Sequence, residues 1–229
     1  MNPTESGLPP SLPESSLWKI DARGWCPQAQ HVPSPNCDAR PSPAHIELLV
    51  IHNISLPPGQ FGGPWIADLF TNTLDVAADP YFVQLQSLRV SAHFLIRRDG
   101  QLLQFVSTRQ RAWHAGMSCF DGRACCNDFS IGIELEGTDT LPFCSEQYAT
   151  LCHLTHALQR ANPLRAVTGH QHIAPGRKTD PGPCFDWHRY QSEWEAGGAA
   201  NAPPRDLENA LVFILSEQIS AEMASKKTP

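Results

Sequence analysis

No stretch of the 229 residues approaches the ~20 consecutive apolar side chains that a membrane helix needs; the longest aliphatic runs are Leu48-Leu49-Val50-Ile51 and Leu211-Val212-Phe213-Ile214-Leu215. No association with a membrane is therefore expected. Positive charge is also short, with 17 Lys and Arg against 23 Asp and Glu, a net charge of −6. Bulk attraction to nucleic-acid phosphates or anionic lipid is not expected from such a chain. The eight cysteines, at 26, 37, 119, 125, 126, 144, 152 and 184, contain no CxxC spacing, which leaves thiolate zinc knuckles and thioredoxin-like centres without support. They are too sparse for a disulfide scaffold and read as reduced thiols. Finally, Glu5 stands where a secretory signal carries bases, and no apolar segment follows it. These absences together lead to the expectation of a cytoplasmic protein.

What is present is enough apolar material, 41 % of residues, to bury a core in one medium domain. Residues 1–16, rich in Pro, Ser and Glu, read as a flexible arm, and 17–190 as the domain. Residues 191–205, with Gly197-Gly198 and Pro203-Pro204, read as a linker. A C-terminal helix is expected over 206–224 from the stripe Leu207, Leu211, Ile214, Leu215 and Ile219. Within the domain, the aliphatic run 46–51 predicts a strand buried on both faces. Two apolar runs, 92–97 and 102–106, flank Asp99-Gly100 and predict a tight hairpin. In 129–136, Ile131, Ile133 and Leu135 alternate with Gly132, Glu134 and Glu136, so a strand would carry both carboxylates on one face. A short helix is expected over 65–70 inside a long loop. A longer helix opens at Ser145 as N-cap, with the stripe Tyr148, Leu151, Cys152, Thr155 and Leu158, and ends before Pro163. Strands alternating with helices give the α/β class: a central mixed β-sheet flanked by α-helices, with long functional loops.

Ten histidines are available, and two places stand out. His52 lies where the aliphatic strand runs out, the end at which α/β sheets bind ligands; on position alone both a structural and a ligand role stay open. The loop 168–183 holds His170, His172, Arg177, Lys178 and Asp180 with little apolar content to explain it by packing. His52, one histidine of that loop and Asp180 would make a two-His, one-carboxylate zinc site with an open position for water, as a metallohydrolase requires. Such an enzyme also needs a proton carrier, for which Glu134 or Glu136 could serve, and a donor for the developing oxyanion, for which Lys178 is long enough.

These residues sit in blocks that resemble a known family. Val50-Ile51-His52-Asn53-Ile54-Ser55, Leu88-Arg89-Val90-Ser91-Ala92-His93, Arg111-Ala112-Trp113-His114-Ala115-Gly116, Cys126-Asn127-Asp128-Phe129-Ser130-Ile131-Gly132-Ile133-Glu134 and Arg177-Lys178-Thr179-Asp180-Pro181-Gly182-Pro183 are similar to the zinc-dependent N-acetylmuramoyl-L-alanine amidases. Within them, the likeness is to the cytoplasmic type acting on 1,6-anhydro-N-acetylmuramyl-L-alanine. The resemblance implies an amidase fold shared with peptidoglycan-recognition proteins, one Zn2+ held by His52, His170 and Asp180, Glu134 as general base, and Lys178 stabilising the transition state. It implies an anhydromuropeptide substrate, with Asn53, Arg89, Trp113 and His114 near it, in cell-wall recycling. The sequence leaves the oligomeric state open, with a monomer as the favoured reading.

Stem peptides carry several carboxylates, so a locally basic cleft is expected, with Arg89, Arg97, Arg98, Arg109 and Arg111 as candidates. Cys125 stands where the resembling proteins carry an arginine before Cys-Asn-Asp, and residues from about 188 onward have no matching block. Two other readings stay open: a non-catalytic peptidoglycan-binding module, and an amidase acting on intact envelope peptidoglycan.

Overall fold

The computed structural model describes residues 17–43, 45–199 and 211–214; the expected arm 1–16 lies outside them. In chain order the elements are β1 (Gln30–His31), β2 (Cys37–Ala39), β3 (Leu48–Ile54), α1 (Trp65–Thr71), β4 (Phe94–Ile96), β5 (Leu102–Gln104), β6 (Gln110–Ala112), β7 (Cys119–Phe120) and β8 (Arg123–Ala124). They continue with β9 (Ser130–Glu136), α2 (Ser145–Ala161), β10 (Ala166–Gly169), the single turn α3 (His170–Ile173), α4 (Trp187–Ala199) and β11 (Val212–Phe213). Seven strands form one sheet in the order β1-β5-β4-β9-β3-β10-β11. Only the β4–β5 hairpin is antiparallel, so the expected mixed sheet is what forms.

The aliphatic run places β3 in the middle, between β9 and β10, with Leu48, Leu49, Val50 and Ile51 all fully buried. A strand covered on both faces has no use for alternation. The strand runs on past His52 to Ile54. The hairpin turns at Gly100, whose φ of +83° is the left-handed conformation that the Asp-Gly pair supplies.

One face of the sheet is covered by α2, whose Tyr148, Leu151, Leu154 and Leu158 pack on Leu49, Ile51, Ile131, Ile133 and Leu135. Each buried leucine contributes about 1.5–3 kcal/mol. The α2 N-cap is Cys144 rather than Ser145, with the Gln147 side chain turned back to accept from the Cys144 N–H at 3.0 Å. On the other face the strands meet α1, α3 and the loops between β5 and β9, in two smaller clusters around Leu95, Phe70 and Phe105 and around Val50, Ala115 and Phe129.

Two expectations for the C-terminal part fail. Residues 191–199, assigned to a linker, continue α4. Tyr190 and Trp194 anchor this helix on α2: the Tyr190 hydroxyl lies 2.6 Å from Thr155 Oγ1, and the Trp194 carbonyl is 3.0 Å from His156 Nε2. Gly197, which suggested flexibility, is a point of close approach, where an added Cβ would lie 3.3 Å from the His156 ring. The helix expected over 206–224 is contradicted at 211–214, the only part of it described, where the chain pairs in parallel with β10. Val212 and Ile214 donate to the Arg165 and Val167 carbonyls, both at 2.9 Å. Leu211 and Phe213 are buried and Val212 is exposed, a period of two. The open backbone groups at the edge of β10 outweigh a helical stripe that isolated sequence cannot hold to one conformation.

Candidate metal centre and cleft

The parallel register of β3 and β9 sets His52 opposite Glu134, and that of β3 and β10 brings the end of β10 beside the same point. There β10 passes directly into α3, so His170 projects next to His52. Asp180 arrives from the following loop, fixed by its carbonyl, which accepts from the Gln171 N–H at 2.8 Å. His52 Nδ1, His170 Nδ1 and Asp180 Oδ2 all stand 3.0 Å from one another. Among the described residues this is the one cluster of three or more His, Cys, Asp or Glu side chains with ligand-type spacing. His172, the other histidine of the loop, turns away to Thr168 and the Gly169 N–H.

The donor chemistry fits a borderline metal ion. His170 Nε2 faces the Ala115 carbonyl at 3.1 Å, an acceptor only, which puts a proton on Nε2. A neutral His170 then turns the lone pair of Nδ1 toward an Asp180 oxygen 3.0 Å away, two acceptors that need a cation or a proton between them. Burial, helped by the neighbouring His170, pulls His52 down to about 4, so the ring is neutral at pH 7 as a ligating imidazole must be. Burial works to raise Asp180, but its close contacts with the His170 and His52 rings outweigh it and hold the carboxyl well below its ordinary range.

Glu134 has one carboxyl oxygen, Oε2, that is buried without a hydrogen-bond partner. Burial and then the charge of Asp180 push this carboxyl well above its ordinary range, with Lys178 acting against them. Glu136, two residues on and on the same face, is fully engaged. It accepts from the Gly62 N–H at 2.6 Å and the Arg98 N–H at 3.1 Å, beside the Arg97 guanidinium. It ties the 55–64 loop to the sheet.

An open cleft of about 360 Å³ begins at Asp180 and is lined by Asn53, Ser55, Pro58, Gly59, Thr138, Asp139, Arg177, Lys178 and Thr179. Asn53 donates its amide to Asp139 at 2.7 Å and to the Pro181 carbonyl at 3.0 Å, so it also fixes the cleft wall. His114 lies behind His52, with its Nδ1 2.9 Å from His52 Nε2. Trp113 is half-buried, its backbone tied to Asn36 and Ser91. Arg89 is exposed, and its guanidinium donates to the Gln86 and Leu88 carbonyls of its own loop. Of the other expected basic residues, Arg111 is held by Asp38 and Asp128, Arg97 by Glu136 and the Gly63 carbonyl, and Arg98 by the Pro142 carbonyl. The cations that line the cleft are Arg177 and Lys178 instead. Sequence reasoning also assigned nothing to Asn127, whose Oδ1 takes the His114 and Ala115 N–H groups, or to Arg177, which donates to the Ala115 and Met117 carbonyls. Both fix the segment on which His52 and His170 lean, and no spacing in the sequence points to that.

Comparison with known proteins agrees with this geometry. The N-acetylmuramoyl-L-alanine amidase family matches residues 42–183. The 1,6-anhydro-N-acetylmuramyl-L-alanine amidase AmpD of Citrobacter freundii is 58 % identical over 171 residues, covering 74 % of this chain and 91 % of that protein. AmpD of Escherichia coli strain K12 is 57 % identical over 171 residues, covering 74 % and 93 %. A crystal structure of a selenomethionine AmpD derivative is similar with a TM-score of 0.72 at 57 % identity, covering 74 % of this chain and 96 % of that one. Among the described residues no helix is long and apolar enough to cross a membrane. On sequence and on fold, the chain belongs to the N-acetylmuramoyl-L-alanine amidase family.

Proposed function

We propose that this chain is a zinc-dependent amidase of cytoplasmic cell-wall recycling, cleaving the amide between the lactyl group of 1,6-anhydro-N-acetylmuramic acid and the L-alanine of the stem peptide. The convergence of His52, His170 and Asp180 at 3.0 Å carries the reading, in a chain that spans nine-tenths of relatives named for that reaction. Two imidazoles and a carboxylate suit Zn2+, which when bound supplies a Lewis acid that lowers the pKa of water toward neutrality.

The chain's own groups do the rest. Glu134 takes the proton of the attacking water on its unpartnered oxygen and returns it to the departing alanine nitrogen; burial and the Asp180 charge, which raise its pKa, make it a stronger base than an ordinary carboxylate. Lys178, whose charge already acts on both Glu134 and His52, offers N–H donors to the lactyl carbonyl oxygen as negative charge grows there. Arg177 and Lys178 are the cleft groups able to pair with stem-peptide carboxylates, and Asn53 supports the substrate from the cleft wall. Arg89 and Trp113 are proposed substrate contacts on the resemblance alone. All the groups named come from one chain, so a monomer suffices.

The test is turnover of a 1,6-anhydromuramyl peptide by the purified protein, followed by release of the stem peptide. Activity should vanish with a chelator and return with zinc. Full activity in chelator would defeat the metal assignment, and binding without release would make the protein a muropeptide-binding module. Turnover of polymeric murein at a similar rate would move the role from recycling to the envelope.

A further inference from the structure

The position of His114 assigns it work other than touching substrate. Its Nδ1 lies 2.9 Å from Nε2 of His52, on the side of that ring opposite Asp180, and its Nε2 lies 3.1 Å from Ser130 Oγ. The two rings meet edge to face, with centroids 5.0 Å apart and planes at 90°. His114 is wedged against β9 at Gly132, where even an added Cβ would stand 2.5 Å from the ring, so glycine at 132 is what admits the imidazole. From the other side Asn127 holds the His114 backbone through a 3.2 Å hydrogen bond. His114 is thus held by β9 and by Asn127 and has one partner in the metal cluster.

The proton count follows. For His52 to turn a lone pair from Nδ1 toward His170 and Asp180, its single proton must sit on Nε2. Nε2–H then needs an acceptor, and the atom in place is His114 Nδ1. That in turn puts the His114 proton on Nε2, facing the Ser130 hydroxyl, which can accept it. Each nitrogen has one consistent role in this relay. With the opposite tautomer His52 would aim an N–H at the cluster and oppose a cation.

We infer that His114 is a positioning residue, which fixes the tautomer and ring orientation of His52 through the Nε2–H to Nδ1 hydrogen bond and so sets the zinc affinity of the site. This rests on the zinc reading above. Partners of ligating histidines are generally worth about 10- to 100-fold in metal affinity.

The experiment measures zinc affinity of the full-length protein by competition with a chromophoric chelator, with the thermal midpoint of the metal-free protein measured alongside. H114F keeps a ring without an acceptor and should weaken zinc binding by about 10- to 100-fold. H114N places its amide oxygen where Nδ1 stood and should restore most of the affinity. H114Q reaches instead to the Nε2 position and should not. G132A, which displaces the ring, should weaken zinc binding in the same direction. Equal zinc affinity in wild type, H114F and H114Q would overturn the inference. If H114F does not fold, the difference between H114N and H114Q decides, and equal affinities there overturn it as well. A wild-type protein that fails to bind zinc at all would refute the metal assignment itself, a result distinct from unaffected variants.

Discussion

The two faces of the sheet are made by alternate residues of the same strands, yet they share almost no chemistry. On β9, Ile131, Ile133 and Leu135 face α2, while Ser130, Gly132, Glu134 and Glu136 face the loops. On β3, Leu49 and Ile51 join the first set, and His52 stands with the second, opposite Glu134. The helix-covered face consists of aliphatic and aromatic contacts and lends the strands rigidity. The loop-covered face carries histidines, carboxylates and a glycine notch, several of them in arrangements that cost stability. Glu134 is the extreme case: a buried carboxyl with an oxygen left unpartnered, beside a negative Asp180. A period of two lets one strand present a ligand or a proton carrier on one side while its other side supplies the packing.

Substitutions on the two faces should separate activity from stability. The largest effect is expected from Glu134→Gln, which should lower turnover by about 10²- to 10⁴-fold. The same variant should melt no lower than wild type, since a neutral amide replaces a strained buried acid; a clear fall in the melting midpoint would blur the contrast between faces. Next is Leu154→Ala on the sheet-facing side of α2, a fully buried position where the cavity should cost about 2–5 kcal/mol in denaturant unfolding. Its turnover at low temperature should match wild type, and a loss comparable to that of Glu134→Gln would show the faces are not independent. Tyr190→Phe removes the 2.6 Å contact with Thr155 and should cost about 1 kcal/mol, again without change in turnover.

The smallest effect belongs to the exposed rim. Arg111 holds Asp38 in a two-pronged pair, which lowers the Asp38 carboxyl from 3.8 chiefly through that hydrogen bond. A depressed folded pKa gives stability that is present above about pH 3.8 and lost as the pH falls through the folded value. Both side chains are partly open to solvent, so Arg111→Gln should cost at most about 1 kcal/mol at neutral pH. The deficit should shrink in acid; a deficit that grows on acidification would contradict the pairing.

Several elements are legible from local chemistry because each carries its own signal. Asp99-Gly100 supplies the positive φ of its hairpin, the run 46–51 reads as a doubly covered strand, and the period of Tyr148, Leu151, Thr155 and Leu158 gives α2. Where glycine and aliphatic residues have more than one use, the reading fails: Gly197 is a contact with His156 inside α4, and Leu211 and Phe213 complete a sheet edge. The site shows the same division. Composition and loop character single out His52 and the histidines, Lys178 and Asp180 of the 168–183 loop, but neither can choose between His170 and His172, nor between Glu134 and Glu136. Those choices depend on which way each side chain turns after α3 begins and on the Gly62 and Arg98 N–H groups that occupy Glu136.

By itself, then, the order of residues determined the strands over 46–51, 92–97, 102–106 and 129–136, the long helix and the set of groups able to ligate a metal or carry a proton, because periodicity and side-chain chemistry act over a few neighbours. Only the folded chain decided that residues 118 and 128 positions from His52 would meet it at 3.0 Å, and that His114 would stand behind it. Strand order, parallel register and the Asn127 and Arg177 ties set those distances, and they arise from contacts among segments far apart in sequence.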